Sequence, residues 1–362
     1  MRFLPTGEQR AFTRSLDALL TAADTAAAVR AWAGGAPEPG LAVWARLAEA
    51  GVFALAAPEA YEGMGPLPVD TALAFVELGR HAVPGPLVET VATAALLSEL
   101  ARLGQPGPAK RLLPGLLSGG TPATLAAPAW GPGEAETGRA ETGRAETGRS
   151  GAPAARVGGG GPVPPTPYAL DADAAALTCT VVGDELRIAP GHGPVRASAD
   201  PARRLALPAP GGELLAAGPE VTAAAGYAAR WAMLTTAAQS LGVGLALLDR
   251  TVAYAKQRTQ FGTPIGSFQA VKHRLADTLI GLEFARPLLF GAALTFESVD
   301  LAAAKVATGE AAYAAARTAL QIHGAIGYTE ELDLSLWLRK ARPLRDAWGA
   351  PSWCRALVLG RP

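Results

Sequence analysis

The C-terminal part of the chain repeats large apolar side chains at a spacing that long helices produce. Ser267 is the expected N-cap of a second helix, and residues 298–320 predict a third helix with alanine along one face. Because alanine-lined helices can pack closely, residues 217–362 are predicted to form a four-helix bundle. The apolar stripe of the first helix, which begins near Glu220, consists of Tyr227, Trp231, Leu234, Leu241, Leu245, Leu248 and Val252.

The beginning of the chain also has helical periodicity. Thr6 and Gln9 fit a capping box, in which each side chain binds the backbone N–H of the other residue. Gly51 is expected to end an amphipathic helix, because glycine readily adopts the left-handed conformation found at that position. Residues 69–80 predict another helix. The sequence therefore predicts an N-terminal helical domain over residues 1–120.

The middle of the chain, residues 121–216, has a different pattern. Short β-type runs at 177–182 and 185–188 flank the dipeptide Gly-Asp, which suits a two-residue hairpin turn. A tract rich in glycine, proline and alanine, with three copies of Glu-Thr-Gly-Arg, fills 129–167. Such a tract buries too little apolar surface to offset the entropy of ordering it, so we predict a disordered insertion. The predicted fold class is mainly α, with a small, reduced β domain between two helical domains.

Charge and cysteine content exclude several function classes. The chain has 32 Lys+Arg and 32 Asp+Glu, so no basic field is available for nucleic acid or an anionic membrane. Cys179 and Cys354 lie far apart and are predicted to be idle thiols, and no metal-ligand spacing occurs, so no metal site is predicted. The N-terminus lacks an apolar signal region, and no long uninterrupted apolar run occurs. We therefore expect a cytoplasmic protein with no membrane partner.

Three blocks of sequence resemble the acyl-CoA dehydrogenases. Residues 254–277 read YAKQRTQFGTPIGSFQAVKHRLAD, and the second block contains QIHGAIGYTE from residue 321 and LSLWLRKAR from residue 334. The third and weaker block is WARLAEAG from residue 44, followed by Pro-Glu and Gly-Met-Gly. The resemblance implies a helical–β–helical plan, FAD as cofactor, and α,β-desaturation of an acyl-CoA or acyl-carrier thioester. It also implies that electrons pass to an electron-transfer flavoprotein.

The same blocks supply candidate cofactor residues, and their chemistry suits a flavin nucleotide. Arg258 has a fork of donors that fits phosphate oxygens, Phe261 has a flat face for adenine, and glutamine amides suit polar cofactor edges. The resemblance implies that these residues reach the adenine-dinucleotide end of an FAD seated mainly on a neighbouring subunit. His273 and His323 are expected to be satisfied polar groups. The candidate cofactor-binding residues are Arg258, Gln260, Phe261, Gln269, Gln321, Gly324 and Ala325.

The position that carries the catalytic glutamate in most acyl-CoA dehydrogenases is occupied here by Trp348. Tryptophan has no group that can accept the substrate's α-proton. The alternative position used by some relatives falls near Ala232, which also lacks a carboxylate. Asp346 is two residues from Trp348, which on a helix would place it on roughly the opposite side. The sequence thus identifies no catalytic residue.

A second departure lies in the β domain and suggests a partner. After Leu125-Ala-Ala-Pro128 the chain enters the low-complexity tract, where the family usually has a loop that cradles the flavin ring. The ending Gly349-Ala-Pro-Ser-Trp-Cys-Arg355 resembles that of the glutamate-lacking subunits of bacterial α2β2 acyl-CoA dehydrogenases. We therefore predict a non-catalytic subunit that shares a flavin site with a homologous catalytic subunit.

Two alternatives stay open at this point. The first is a flavoenzyme of the same fold with changed chemistry, of the nitroalkane- or amine-oxidising type. A carboxylate that faces the flavin from an unexpected helix, such as Glu283 or Glu297, would favour it. The second alternative is a scaffold without flavin, although an unused site gives no reason to keep Arg258, Phe261 and both glutamines.

Overall fold

The computed structural model describes residues 4–127 and 167–360. The predicted disordered insertion, 129–167, lies outside the described residues except for its last residue. The division into three domains at the predicted boundaries stays a prediction, although the order of elements along the chain is helices, short strands and again helices.

Six helices precede the first strand. The capping box at the start of α1 is confirmed, because Thr6 N donates to Gln9 Oε1 at 2.9 Å and Gln9 N donates to Thr6 Oγ1 at 3.2 Å. Gly51 follows α3 with φ 77°, so the predicted left-handed helix end is also present. The helices are α1 (Gly7–Thr21), α2 (Thr25–Ala33), α3 (Glu38–Glu49), α4 (Pro68–Arg80), α5 (Leu87–Arg102) and α6 (Gly107–Leu117).

The middle region contains short strands, and four of them form a sheet in the order β1-β3-β4-β6. β1 pairs with β3 in parallel, and β3 pairs with β4 as the predicted antiparallel hairpin. Gly183 in the hairpin turn has φ 61°, which glycine adopts at little cost. The strands are β1 (Ala123–Ala126), β2 (Ala169–Leu170), β3 (Leu177–Val182), β4 (Glu185–Ile188), β5 (Leu205–Ala206) and β6 (Glu213–Ala217).

The C-terminal region is built around one long central helix, α7. It packs against α4, α5, α8, α9 and α10. Its crossing with α4 is very close: a Cβ on Gly242 would lie 1.9 Å from the carbonyl oxygen of Val76, so only glycine fits. The elements are α7 (Pro219–Gln257), β7 (Thr259–Gln260), β8 (Thr263–Pro264), α8 (Gln269–Thr295), α9 (Ser298–His323), α10 (Leu334–Asp346) and α11 (Pro351–Val358). The predicted fold class, helical domains around a small β region, is confirmed.

The predicted N-cap of the second long helix was wrong. Ser267 lies in a short 3-10 turn, and Phe268 stands at the N-cap of α8 without a side-chain hydrogen bond. The Ser267 hydroxyl instead donates to the carbonyl oxygen of Pro264 at 2.7 Å. The local turn therefore uses the hydroxyl that the sequence pattern assigned to the helix.

Two helices are long and apolar enough to cross a membrane by length and composition alone. The apolar window of α7 is 100% buried inside the protein, as expected for a core helix, whereas that of α8 is 33% buried. This is weak evidence for a span, and the absence of a membrane partner stays a prediction.

A buried ion pair joins the middle region to the C-terminal helices. Lys340 Nζ on α10 donates to Asp200 Oδ2 at 2.9 Å, and the two side chains are 4% and 3% exposed. Asp200 Oδ1 also accepts from the backbone N–H of Ala202 at 3.0 Å. The pair therefore fixes the segment that begins at Asp200 against α10.

Candidate active site

A cavity of about 280 Å³ lies where the three regions meet. α5 contributes Glu89, and β1 and β2 contribute Leu125 and Leu170. α7 contributes Ala229 and Met233 from successive turns of one face. The segment after α10 and Trp353 of α11 close the remaining side. The lining is mainly apolar with a few polar groups, which is the usual composition of a small-molecule site.

Trp348, which the sequence analysis predicts to stand at the family's glutamate position, lines this cavity. α10 ends at Asp346, and Trp348 follows with φ 51°, a left-handed conformation that is rare for a bulky residue. Its indole Nε1–H donates to Glu89 Oε1 at 2.9 Å across the cavity. The backbone turn and the hydrogen bond together fix where the indole lies.

Lys305 of α9 holds the segment that carries Trp348. Its Nζ donates to the carbonyl oxygens of Leu344 at 3.0 Å, Arg345 at 2.8 Å and Gly349 at 3.3 Å. These bonds satisfy carbonyl groups at the end of α10 that have no partner within the helix. Lys305 is 1% exposed, and burial lowers its pKa to about 8.

Glu89 is a candidate site residue that the sequence reasoning missed. It is 3% exposed, and its Oε2 has no hydrogen-bond partner among the described residues. Burial raises the pKa of this carboxyl group, while the positive charge of Arg203 and the Trp348 hydrogen bond act in the opposite direction. The sequence signal was one acid inside the otherwise uncharged run of residues 87–98. A charged residue buried in this way is rare unless it has a partner or a function.

The structure corrects one inference about the glutamate positions. Asp346 was expected to point away from Trp348, but both line the same cavity. The helical spacing does not apply, because α10 ends at Asp346 and the chain then turns at Trp348. Ala232 is fully buried in α7, and its neighbours on the cavity wall, Ala229 and Met233, also lack a carboxyl group. Neither expected position therefore carries a base.

The candidate cofactor residues lie together at one end of the C-terminal helices, away from this cavity. Tyr254 near the end of α7 stacks on His323 at the end of α9, with ring centroids 4.1 Å apart. This contact brings the β7–β8 hairpin close to the turn that follows α9. Phe261 at the hairpin tip is 93% exposed and meets Phe268 edge-on at 6.3 Å. All seven predicted residues are exposed: Arg258, Gln260, Phe261, Gln269, Gln321, Gly324 and Ala325.

These residues fit one part of an FAD molecule. An adenine dinucleotide has charged phosphates, polar edges and planar rings. The Arg258 guanidinium suits the phosphates, the Gln269 and Gln321 amides suit the polar edges, and the exposed Phe261 ring suits the adenine. Arg258 makes no ion pair with any residue that the structure describes. The assignment of these seven residues to the cofactor stays a prediction.

One face of α8 exposes large apolar side chains next to the cofactor residues. Leu279, Ile280, Phe284 and Leu288, which we call the exposed α8 face, are 45%, 51%, 73% and 48% exposed. Exposed apolar side chains on one helix face are of the kind that marks protein–protein contacts.

Other titratable groups have ordinary structural roles. His323 is buried, and its Nδ1–H donates to the carbonyl oxygen of Ala319 at 2.8 Å, as expected for a satisfied polar group, whereas His273 is exposed. Cys179 and Cys354 are buried and free, and burial raises their pKa values to about 12 and about 11. Both thiols are thus buried and unbridged, and the prediction that they are idle stays a prediction.

The two carboxylates that sequence reasoning offered as unexpected bases do not reach the cavity. Glu283 and Glu297 are both exposed, and Glu283 pairs with Arg286 at 2.9 Å. The carboxyl group that does enter the cavity from an unexpected helix is Glu89.

Sequence comparison identifies the class of protein that has this fold. Residues 6–120 match the family described as Acyl-CoA dehydrogenase, N-terminal domain, and residues 223–356 match Acyl-CoA dehydrogenase, C-terminal domain. The chain belongs to the acyl-CoA dehydrogenase family.

Individual relatives agree with this assignment. The chain is 31% identical over 302 residues to acyl-CoA dehydrogenase IpdE2 of Mycobacterium tuberculosis, covering 83% of this chain and 80% of the relative. The fold matches the ChsE4-ChsE5 complex from Mycobacterium tuberculosis with a TM-score of 0.74 and 24% identity, over 99% of this chain and 98% of that chain. It also matches PigA with FAD and proline, with a TM-score of 0.76 and 19% identity over the full length of both chains.

Proposed function

We propose that this chain is a subunit of an FAD-dependent acyl-CoA dehydrogenase in which a homologous partner supplies the usual catalytic base. The observation that carries the proposal is the Trp348 indole at the glutamate position, bonded to Glu89 at 2.9 Å. In this arrangement the usual α-proton acceptor is replaced by a hydrogen-bond donor. The family's desaturation of an acyl thioester therefore depends on a carboxylate from another chain.

The cofactor residues support a shared site. All seven are exposed, and Phe261 is 93% exposed, so this chain alone leaves one side of a bound dinucleotide in water. The exposed α8 face lies on the helix that begins at Gln269 and gives a partner an apolar surface to cover. The fold similarity to the two-protein ChsE4-ChsE5 complex is consistent with such a pairing.

The residues of this chain then have defined roles toward the cofactor. Arg258 would neutralise phosphate charge, Phe261 would stack on adenine, and Gln269 and Gln321 would bind polar edges of the dinucleotide. When bound, FAD supplies the hydride acceptor for oxidation of the acyl chain. An acyl-CoA or acyl-carrier thioester is the proposed substrate, an electron-transfer flavoprotein the proposed electron acceptor, and the cytoplasm the proposed location.

Coexpression tests the assembly. The chain is produced alone and together with a candidate catalytic homologue, and flavin absorbance and native mass are measured. We expect stoichiometric flavin and desaturase activity only in the two-chain complex. R258A with F261A should lower flavin retention there, whereas R14A, which removes an exposed arginine on α1, should not. A yellow, active homotetramer made from this chain alone would contradict the proposal.

Glu89 favours one second candidate, a flavoenzyme of the same fold with changed chemistry. It is a cavity carboxyl group supplied by α5, where most of the family uses the segment after α10. The fold similarity to PigA with FAD and proline is consistent with this candidate. Flavin reduction by an amine or nitroalkane, and not by an acyl-CoA, would select this candidate. Absence of flavin from every preparation would select a flavin-free scaffold.

A further inference from the structure

Three metal-ligating side chains meet between α1 and α4, at a place that the proposed function does not use. They are Asp17 on α1, Glu77 on α4 and His81 at the end of α4, and one oxygen or nitrogen atom of each lies within 4.8 Å of the others. We propose that these side chains bind one divalent transition-metal ion, such as Zn²⁺, which fastens α1 to α4. The sequence analysis predicts no metal site, because Asp17 and His81 are 64 positions apart and no ligand spacing connects them.

The first argument is how the two helices place the ligands. Glu77 and His81 are four residues apart, so their side chains lie on the same face of α4. α1 packs against α4, and Asp17 Oδ1 lies 2.9 Å from His81 Nε2. His81 is also the C-cap of α4, where the partial negative charge of the helix end favours a cation.

The second argument is the buried carboxyl group of Glu77, which is 8% exposed. Among the residues that the structure describes, its ion-pair contact is with Arg80 Nε at 3.7 Å, which is longer than a hydrogen bond. Burial raises the pKa of this carboxyl group to about 7, so the positive charges of Arg80 and Arg286 do not offset its desolvation. A buried charge needs a close partner, and a cation bound directly to Glu77 would supply one.

The arginines near the cluster have other partners. Arg80 pairs with Asp249 at 2.9 Å, and Arg286 pairs with Glu283 at 2.9 Å. Each arginine charge is therefore matched by a carboxylate outside the cluster. The two carboxyl groups of the cluster, when ionised, carry two negative charges, and a divalent cation matches that charge.

The donor atoms indicate the kind of ion. One imidazole nitrogen with two carboxylate oxygens suits Zn²⁺ and similar transition metals, whereas Ca²⁺ and Mg²⁺ prefer oxygen ligands alone. Zinc bonds of about 2.0–2.2 Å to nitrogen and oxygen place two ligand atoms at most about 4.4 Å apart. The three side chains therefore need to approach one another by only a few tenths of an ångström. The Asp17 side chain is 57% exposed, so an ion can enter from solvent and water can complete its coordination.

An ion at this place would hold the first helix of the chain. The buried apolar side chains of α1 are Leu16 and Leu20, and Asp17 directly follows the first of them. A polar contact nearer the start of α1, from Gln9 Nε2 to Asp70 Oδ2, is long at 3.4 Å. Metal binding should therefore suppress local opening of α1 and raise the melting temperature of the chain.

The test uses the full chain without a histidine tag, treated with EDTA and then titrated with ZnCl₂. Isothermal titration calorimetry measures affinity and stoichiometry, and we expect one ion per chain. D17N and H81Q should each weaken Zn²⁺ binding by more than about tenfold, since losing even an outer-shell partner typically costs about 10–100-fold. H273Q and D277N, matched changes of exposed residues on α8, should bind Zn²⁺ like wild type.

Two further measurements separate a metal site from an ordinary helix contact. Hydrogen exchange followed by mass spectrometry should show slower exchange over Gly7–Thr21 when ZnCl₂ is present, in wild type but not in D17N. Because Asp17 is exposed, D17N should keep the fold, which circular dichroism checks. CoCl₂ in place of ZnCl₂ should give a visible absorption spectrum that H81Q alters, since His81 supplies the nitrogen ligand.

The remaining outcomes decide against the proposal. Equal Zn²⁺ affinity in wild type, D17N and H81Q would mean an adventitious ion only. No binding by wild type would leave the contact of Asp17 with His81 as a simple hydrogen bond between helices. Equal protection of α1 by CaCl₂ would exclude the imidazole as a ligand. These measurements involve neither flavin nor a second chain, so failure here is distinct from failure of the proposed function.

Discussion

The buried Lys340–Asp200 pair gives a stability prediction that can be worked out from the structure. The atoms are 2.9 Å apart and the side chains are 4% and 3% exposed, so water cannot replace either partner. K340M leaves a buried carboxylate whose other oxygen is bonded only to the Ala202 N–H. Breaking a buried pair from one side typically costs about 3–5 kcal/mol, and K340M should lower the free energy of unfolding by that amount.

A double variant separates the pair from its parts. D200N alone leaves the Lys340 charge buried with a neutral neighbour. D200N with K340M removes both charges and leaves one side-chain amide group, with two N–H donors, without a partner, for an expected loss of about 1–3 kcal/mol. The double variant should therefore be more stable than the K340M single variant.

Urea unfolding at pH 7, followed by circular dichroism and tryptophan fluorescence, measures these differences. K256M, which changes an exposed lysine near the end of α7, is the matched control and should change stability by less than about 0.5 kcal/mol. Losses in the double variant equal to the sum of the single losses would refute the reasoning, because they would mean that the two charges do not interact.

Three further predictions concern the cavity and its support. W348E should not give desaturase turnover without a partner chain, because the sequence also predicts the loss of the ring-binding loop; turnover measured with an electron-acceptor dye would contradict this. Burial lowers the pKa of Lys305 to about 8, so between that pH and about 10.4 the unfolded chain holds one more proton than the folded chain. As the pH rises through this range, the free energy of unfolding of wild type should therefore increase by up to about 3 kcal/mol relative to K305M. Urea midpoints of wild type and K305M across this pH range measure the difference, and midpoints that change with pH equally in both proteins would refute the prediction. G242A places a methyl group 1.9 Å from the Val76 carbonyl oxygen and should lower the melting temperature by several degrees, whereas G281A, at an exposed position of α8 with no atom within 4 Å, should not.

Much of the fold could be predicted from the sequence because its signals are local. The capping box at Thr6, the hairpin at Gly183 and the apolar stripe of α7 each depend on residues a few positions apart. The predicted N-cap at Ser267 was wrong because the pattern considers only the helix that follows. The carbonyl oxygen of Pro264, three residues earlier, accepts the Ser267 hydroxyl instead.

The site could be predicted only in part, because its key contact is not local. Glu89 and Trp348 are separated by 259 positions in the chain, and no spacing rule connects them. The expected loss of the usual base could be predicted at Trp348, since a single residue carries that information. The cavity carboxyl group of Glu89 could not be predicted, because the sequence of α5 is that of a core helix and its acid gains significance only once α5 and the segment after α10 face each other.

The proposed function places two sites in different parts of one chain. The candidate cofactor residues are exposed near the ends of α7 and α9, and their proposed use depends on a second chain. The cavity that contains Glu89 and Trp348 lies elsewhere, and Lys305 and the Lys340–Asp200 pair hold its walls from within the fold. A partner that covers the exposed residues therefore need not disturb the Glu89–Trp348 hydrogen bond, and the two sites can be changed separately by mutation.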